Sequence, residues 1–339
     1  MLKMYAKEKR RVFKMYPIIF ENLYYDKIWG GRDLENFRDN MPEGLIGETW
    51  DIACHRNGTG VVKNGEFKGI KFDELIKKLQ HKLVGDKIGV ENFPLLIKLI
   101  NANDKLSVQV HPGDEYARVK DNDLGKTEAW YVVDAKEGAS LIVGTKNCDK
   151  ETFEKAIKDG NLNPYLNQIP VKKGDMFYVK SGLVHAICEG VVIAEIQQNS
   201  DTTYRVYDYN RGREIHVEKA LDVIDFSLKG ENIKGITIHE DGYDKTILCI
   251  GEYFAIEKYE IKESAKEESD KNRFFLFTCV EGNGEIVWKD GSLDIKMGDS
   301  ILIPAYLGEY ELKGEFTLLK SFVPDVSEEK EKILSVVLK

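Results

Sequence analysis

Along Leu106-Ser107-Val108-Gln109-Val110-His111 the side chains alternate in the period-two rhythm of a strand with two unlike faces. A similar rhythm runs through Ile193-Ala194-Glu195-Ile196-Gln197, after the apolar pair Val191-Val192. The β-branched and aromatic runs Trp130–Val133 and Ser140–Val143, bounded by turn residues, predict two more strands. Helical spacing is sparser. Apolar residues at 72, 75, 76 and 79 predict a helix over Phe72–Leu83, and Glu151–Asp159 reads as a second short one. Short, regularly spaced strands with few helices predict antiparallel sandwiches or barrels.

The pattern also repeats. Lys173-Gly174-Asp175-Met176-Phe177-Tyr178-Val179 parallels Met297-Gly298-Asp299-Ser300-Ile301-Leu302-Ile303 at an offset of 124 residues. In each copy Gly-Asp predicts a turn and a strand follows it. A strand-turn-strand block precedes each, Val132–Val143 in one and Phe274–Val287 in the other, with Gly282-Asn283-Gly284 read as a hairpin turn. The first copy, G-D-x-x-x-V-K-x-G-x-x-H, resembles the second half-motif of cupins, small double-sheet jelly-roll barrels. The expected fold is therefore mainly β: two cupin-like jelly-roll β-barrels in tandem with a few short helices. Expected boundaries are a basic tail over 1–14, a metal-binding domain with N-terminal elaboration over 15–240, and a degenerate barrel over 241–339. Ungapped alignment sets His185 opposite Glu309, and the stretch Arg273–Cys279 has no histidine, so the second barrel is expected to be metal-free.

A length of 339 residues suits two cores, and 42% hydrophobic content supplies them. The formal charge of -9 argues against a nucleic-acid partner but not against a small anion bound in a basic cleft. Five scattered cysteines, none in a C-x-x-C, read as cytoplasmic usage. No apolar run approaches the roughly 20 residues of a membrane span, so no membrane role is expected. The basic opening MLKMYAKEKRRVFK lacks a signal-peptide core.

Candidate chemistry gathers in the first repeat. Gln109 and His111 share a strand face, and Pro112-Gly113-Asp114 ends that strand. Glu128 opens another strand, and His185 follows the Gly-Asp turn and Ser181-Gly182. Two histidines, a carboxylate and an amide or water form a nitrogen–oxygen set that keeps an exchangeable position, as catalytic zinc requires. Gly125-Lys126-Thr127 is no phosphate-cradling P-loop, because the glycine needed five positions earlier is Lys120.

Several stretches now converge on one family. LSVQVHPGDEY (106–116), GKTEAWY (125–131), SGLVHAI (181–187) and EIQQNSDTTYRVYDYNR (195–211) resemble the motifs of type I mannose-6-phosphate isomerases of the short bacterial type. KIWGG (27–31) and IGETWDIA (46–53) fit as well, so the resemblance is strong over 15–223. It implies one zinc per chain held by Gln109, His111, Glu128 and His185. For Gln109 two readings stay open, a ligand or a donor that orients His111 while water completes the set. The longer family members carry Asn-His-Lys-Pro-Glu before the ligand Glu, where this chain has Asp-Leu-Gly-Lys-Thr-Glu.

The resemblance further implies catalytic roles for Arg205 and Glu195, and substrate contacts from Lys98, Ser107 and Lys126, the lysines facing the phosphate. Arg205 keeps its proton at neutral pH and so suits stabilising an enediolate. Glu195 is the candidate proton carrier, with histidine or metal-bound water as alternatives. The expected activity is zinc-dependent interconversion of mannose 6-phosphate and fructose 6-phosphate through a cis-enediol, by a cytoplasmic monomer or small homo-oligomer whose partner is a hexose phosphate. Two readings compete: an Fe(II) dioxygenase using the same two-histidine, one-carboxylate set, and a non-catalytic sugar-phosphate sensor.

Overall fold

The structure, a computed structural model, describes residues 13–337. The chain is mainly β. Its N-terminal unit is built on two antiparallel sheets. The six-stranded one runs in the order Met176–Val179, Glu128–Ala135, Val191–Gln198, Leu95–Ala102, Ile46–Ile52 and Leu23–Gly31. The five-stranded one runs Leu166–Pro170, Ser140–Thr145, His185–Ile187, Val108–Val110 and Tyr204–Tyr207. Trp130, Val132, Ile193 and Ile100 from the first meet Leu141, Val143 and Ile187 from the second in one core cluster.

The other face of the six-stranded sheet packs Leu95, Ile97, Leu99, Ala194 and Ile196 against the helix Phe72–Leu79 and against Leu276, Leu302 and Leu319 of the C-terminal unit. Leu95–Ala102 and Val191–Gln198 are consequently buried at every position. Alternation at Glu195 and Gln197 thus marks two buried faces of unlike polarity rather than a wet and a dry face.

A nine-stranded sheet forms the C-terminal unit and also takes in Ile18–Ile19 from the beginning of the chain. Phe13 and Lys14 of the basic tail are described: Phe13 packs on Phe67 with ring centroids 5.6 Å apart, and Lys14 pairs with Asp290 at 3.1 Å. Residues 1–12 of that tail lie outside the described residues. A buried polar knot ties the units together. Asp51 accepts from Arg38, from Asn22 at 3.0 Å and from Ser300 at 3.0 Å, while Arg38 also reaches the Gly298 carbonyl at 2.8 Å.

Two sequence expectations are corrected. The helix expected over Phe72–Leu83 ends at Leu79, because Gln80 takes a positive φ of 51° and a separate turn follows over His81–Val84. Gly282-Asn283-Gly284 is not a hairpin turn but lies inside one 14-residue strand, Phe275–Trp288. A side chain at Gly284 would meet the Lys313 carbonyl at 2.3 Å, so these glycines admit a neighbouring strand instead of reversing the chain. The other short helix, Lys150–Lys158, starts where Asp149 accepts from the Thr152 amide, as an N-cap should.

A matching register recurs in the ladders of the two units. In the N-terminal unit Glu195 lies opposite Lys98 on one side and Trp130 on the other. In the C-terminal unit Lys320 lies opposite Glu257 and Phe277 in the same arrangement. Val132 N–H donates to Asp175 in one copy and Cys279 N–H to Asp299 in the other. The register shifts recur too, between Trp50 and Ile52 against Lys98–Ile97 and between Ile247 and Cys249 against Glu257–Ile256.

Candidate active site

Strand register assembles the site from two facing rows. In the five-stranded sheet Gln109 lies opposite His185 on one side and Arg205 on the other. In the six-stranded sheet Trp130, Glu195, Lys98 and Trp50 form a continuous cross-strand row. A cavity of about 290 Å³ opens between them, lined among others by Lys98, Ser107, Gln109, Lys126, Glu195 and Arg205. Six of the nine sequence-predicted residues therefore line one cavity. The other three, His111, Glu128 and His185, form the buried cluster that Gln109 and Lys126 touch.

The two histidines are poised as neutral ligands. His111 Nδ1 stands 2.8 Å from the Thr202 carbonyl and His185 Nδ1 stands 2.8 Å from the Leu183 carbonyl. A carbonyl only accepts, so each Nδ1 carries the proton and each Nε2 carries a lone pair. Burial lowers both: His111 falls well below the usual imidazole range, with Lys126 adding to the effect, and His185 falls to about 4. The two lone-pair nitrogens nevertheless face each other at 3.1 Å. Glu128 presents its oxygens 3.6 Å from His111 Nε2 and 3.5 Å from His185 Nε2, and neither oxygen has a well-directed hydrogen bond.

Lys126 neutralises Glu128 from one side at 2.9 Å, but the two facing Nε2 lone pairs remain uncompensated in a dry interior, and a cation among them would relieve that repulsion. The donor set fits a divalent metal. Among the described residues these three form the one group of His, Cys, Asp or Glu side chains with that geometry. Gln109 stands beside them with its amide nitrogen 3.3 Å from His185 Nε2, while its oxygen accepts from Ser107 at 3.3 Å. Offering that oxygen to a metal requires the amide to turn over.

Lys98 and Lys126 are both buried and each bridges two carboxylates. Lys98 Nζ lies 3.4 Å from Glu195 and 3.7 Å from Glu48; Lys126 Nζ lies 2.9 Å from Glu128 and 3.8 Å from Glu195. Burial opposes the Lys126 charge, but Glu128 and Glu195 outweigh it and raise its pKa. Glu195 itself is raised above the ordinary carboxylate range, by burial first and by repulsion from Glu128 second, with the two lysines pulling the other way. Its other oxygen accepts from Trp130 Nε1 at 3.0 Å. Arg205 is half-buried, donating to Ser107 at 3.2 Å and to the Glu214 carbonyl at 2.7 Å.

Sequence reasoning passed over two contributors as site residues. Glu48 pairs with Lys27 at 2.9 Å and accepts from Trp50 Nε1 at 3.0 Å; despite burial, Lys98 and Lys27 hold its pKa down at about 2. It stood within the motif IGETWDIA, and its i, i+2 spacing from Trp50 was the available signal. Asp123 accepts from the Thr202 hydroxyl at 3.1 Å and pairs with Arg56 at 3.1 Å, fixing the carbonyl that sets the His111 tautomer. Asp123→Ala is expected to weaken divalent-metal binding about tenfold. Competition against a chromophoric chelator measures this directly, and wild-type affinity in the variant would deny Asp123 that role.

The chain is similar to known proteins over most of its length. Residues 18–143 match the family model described as phosphomannose isomerase type I, catalytic domain, and residues 244–323 match mannose-6-phosphate isomerase, cupin domain. A mannose-6-phosphate isomerase of Bacillus subtilis is 40% identical over 308 residues, covering 88% of this chain and 96% of its own length. One from Streptococcus mutans is 38% identical, covering 90% and 98%. The crystal structure of a Bacillus subtilis mannose 6-phosphate isomerase superposes with a TM-score of 0.85 at 35% identity, over 90% of this chain and 99% of that one. Two motif-bearing units, a buried His-Glu-His cluster beside a charged cavity, and this similarity over nearly all of both chains together make the chain a member of the type I mannose-6-phosphate isomerase family.

Proposed function

We propose that the chain interconverts mannose 6-phosphate and fructose 6-phosphate through a cis-enediol, with one zinc ion per chain held by His111, Glu128, His185 and Gln109. The observation that carries the metal is the pair of Nε2 lone pairs facing each other at 3.1 Å beside the Glu128 carboxylate, whose ion-pair partner at 2.9 Å is Lys126. Bound there, zinc supplies Lewis-acid polarisation to an oxygen of the open-chain sugar. Glu195 moves the proton between C2 and C1, a role supported by its raised pKa inside the cavity. Arg205 holds charge as it develops on the enediolate oxygens, supported by its position opposite Gln109. Lys98, Lys126 and Ser107 receive the anionic substrate at the cavity wall.

We read the two units as tandem cupin-type barrels, which the shared ladder register supports. Five unpaired cysteines support a cytoplasmic location, and no described helix is long and apolar enough to cross a membrane. A coupled assay that follows fructose 6-phosphate formation from mannose 6-phosphate tests the reading. Turnover that depends on added mannose 6-phosphate is expected. Binding of the sugar phosphate without turnover would leave a sensor, and oxygen uptake on addition of iron would favour a dioxygenase.

A further inference from the structure

The ladders that reveal the repeat also make residues of the two units equivalent one by one. Lys98 corresponds to Glu257, Glu195 to Lys320, and Glu48, two residues from the Lys98 partner Trp50, to Lys245, two residues from the Glu257 partner Ile247. In the N-terminal unit one ammonium group, Lys98, lies between two carboxylates at 3.4 and 3.7 Å. In the C-terminal unit one carboxylate, Glu257, lies between two ammonium groups, Lys245 at 3.0 Å and Lys320 at 3.9 Å. Acid-base-acid has become base-acid-base on the same three positions.

The inverted triad also borders a space. Lys245, Glu257 and Lys320 line a cavity of about 190 Å³ walled by Phe275 and closed in part by Ile333 of the helix Val326–Val337. A lysine lies over an aromatic ring in both units, at different ladder positions, with Lys320 Nζ 4.1 Å from the Phe275 ring centroid and Lys98 Nζ 5.0 Å from that of Trp50. Arg273 on the cavity wall is committed to Asp270, Glu328 and Glu329. Glu267 holds the far side of Lys320 at 2.8 Å and does not line the cavity. In the N-terminal cleft, likewise, ion pairing of Lys98 coexists with a substrate-sized opening.

We propose that the C-terminal cavity binds a small oxyanion, a phosphate or carboxylate group, between Lys245 and Lys320. The volume admits such an ion but is smaller than the 290 Å³ of the N-terminal cavity. Lys245 and Lys320 share Glu257, and Lys320 is also held by Glu267; an ammonium carries about three N–H donors, so donors remain for an anion. The proposal rests on ladder equivalence and the cavity, independently of the isomerase activity.

The test is calorimetric titration of the full chain with inorganic phosphate and, separately, with malonate. One oxyanion site should persist in Arg205→Ala, which disturbs the N-terminal cleft. That site should weaken at least about tenfold in Lys245→Gln, through loss of a charge-assisted hydrogen bond, and recover in Lys245→Arg. Lys245 is partly exposed, so this substitution is compatible with folding, and isomerase turnover in Lys245→Gln should stay at the wild-type rate. Binding of neither anion in Arg205→Ala, or equal affinity in wild type and Lys245→Gln, overturns the proposal.

Discussion

Glu195→Gln is expected to lower kcat by about 10²–10⁴-fold while the metal content stays at the wild-type level. The substitution keeps the size of the side chain and its contact with Trp130 Nε1, so the fold and the row Trp130–Glu195–Lys98 should survive. What it removes is the one carboxylate that both lines the cavity and stands outside the His-Glu-His cluster within reach of Lys98 and Lys126. The pH dependence follows with a definite sign. Burial and repulsion from Glu128 raise the Glu195 pKa, and a base must be ionised to accept the C2 proton. Activity should therefore fall, as pH is lowered, at a value above the ordinary carboxylate range, and the variant should lose that limb. A variant with kcat within threefold of wild type would move the proton transfer to another group.

The second large effect is at Arg205. Arg205→Ala should reduce kcat about 10²–10³-fold, comparable to losing a preorganised oxyanion donor. The metal should remain, because Arg205 touches Ser107 and the Glu214 carbonyl and none of His111, Glu128 or His185. Lysine should rescue poorly: it carries the charge but cannot reproduce the planar fork that reaches two acceptors at once. Measuring kcat, KM and bound metal on the same preparation separates this from a structural role. A rise in KM with unchanged kcat would assign Arg205 to ground-state binding instead.

Much of this site was legible in the sequence because it is written in strand periodicity. Gln109, His111, Glu195 and Gln197 stand out as polar positions in otherwise apolar strands, and the Gly174-Asp175 turn announces His185. The ladder partners were not legible. That Lys98 sits opposite Glu195, or that Arg205 sits opposite Gln109, depends on register between strands nearly 100 residues apart. Such pairing is set by tertiary packing, which local pattern does not encode. The lysines show the consequence: sequence suggested free cations for a phosphate, whereas the structure holds each between two carboxylates. Gly282-Asn283-Gly284 failed for a related reason, since glycines that admit a close neighbour and glycines that reverse the chain look alike in one dimension. The charge inversion between Glu48-Lys98-Glu195 and Lys245-Glu257-Lys320 likewise emerged only from the pairing.

The central claim is that the buried His111, Glu128 and His185 exist to hold a catalytic metal. It is tested most directly by measuring metal content and mannose 6-phosphate isomerase turnover on one sample, through chelation and stepwise return of zinc. Turnover should vanish with the metal and return in proportion, reaching its plateau at about one zinc per chain, the stoichiometry of a single catalytic site. A metal-free chain that turns over at the full rate would contradict the account.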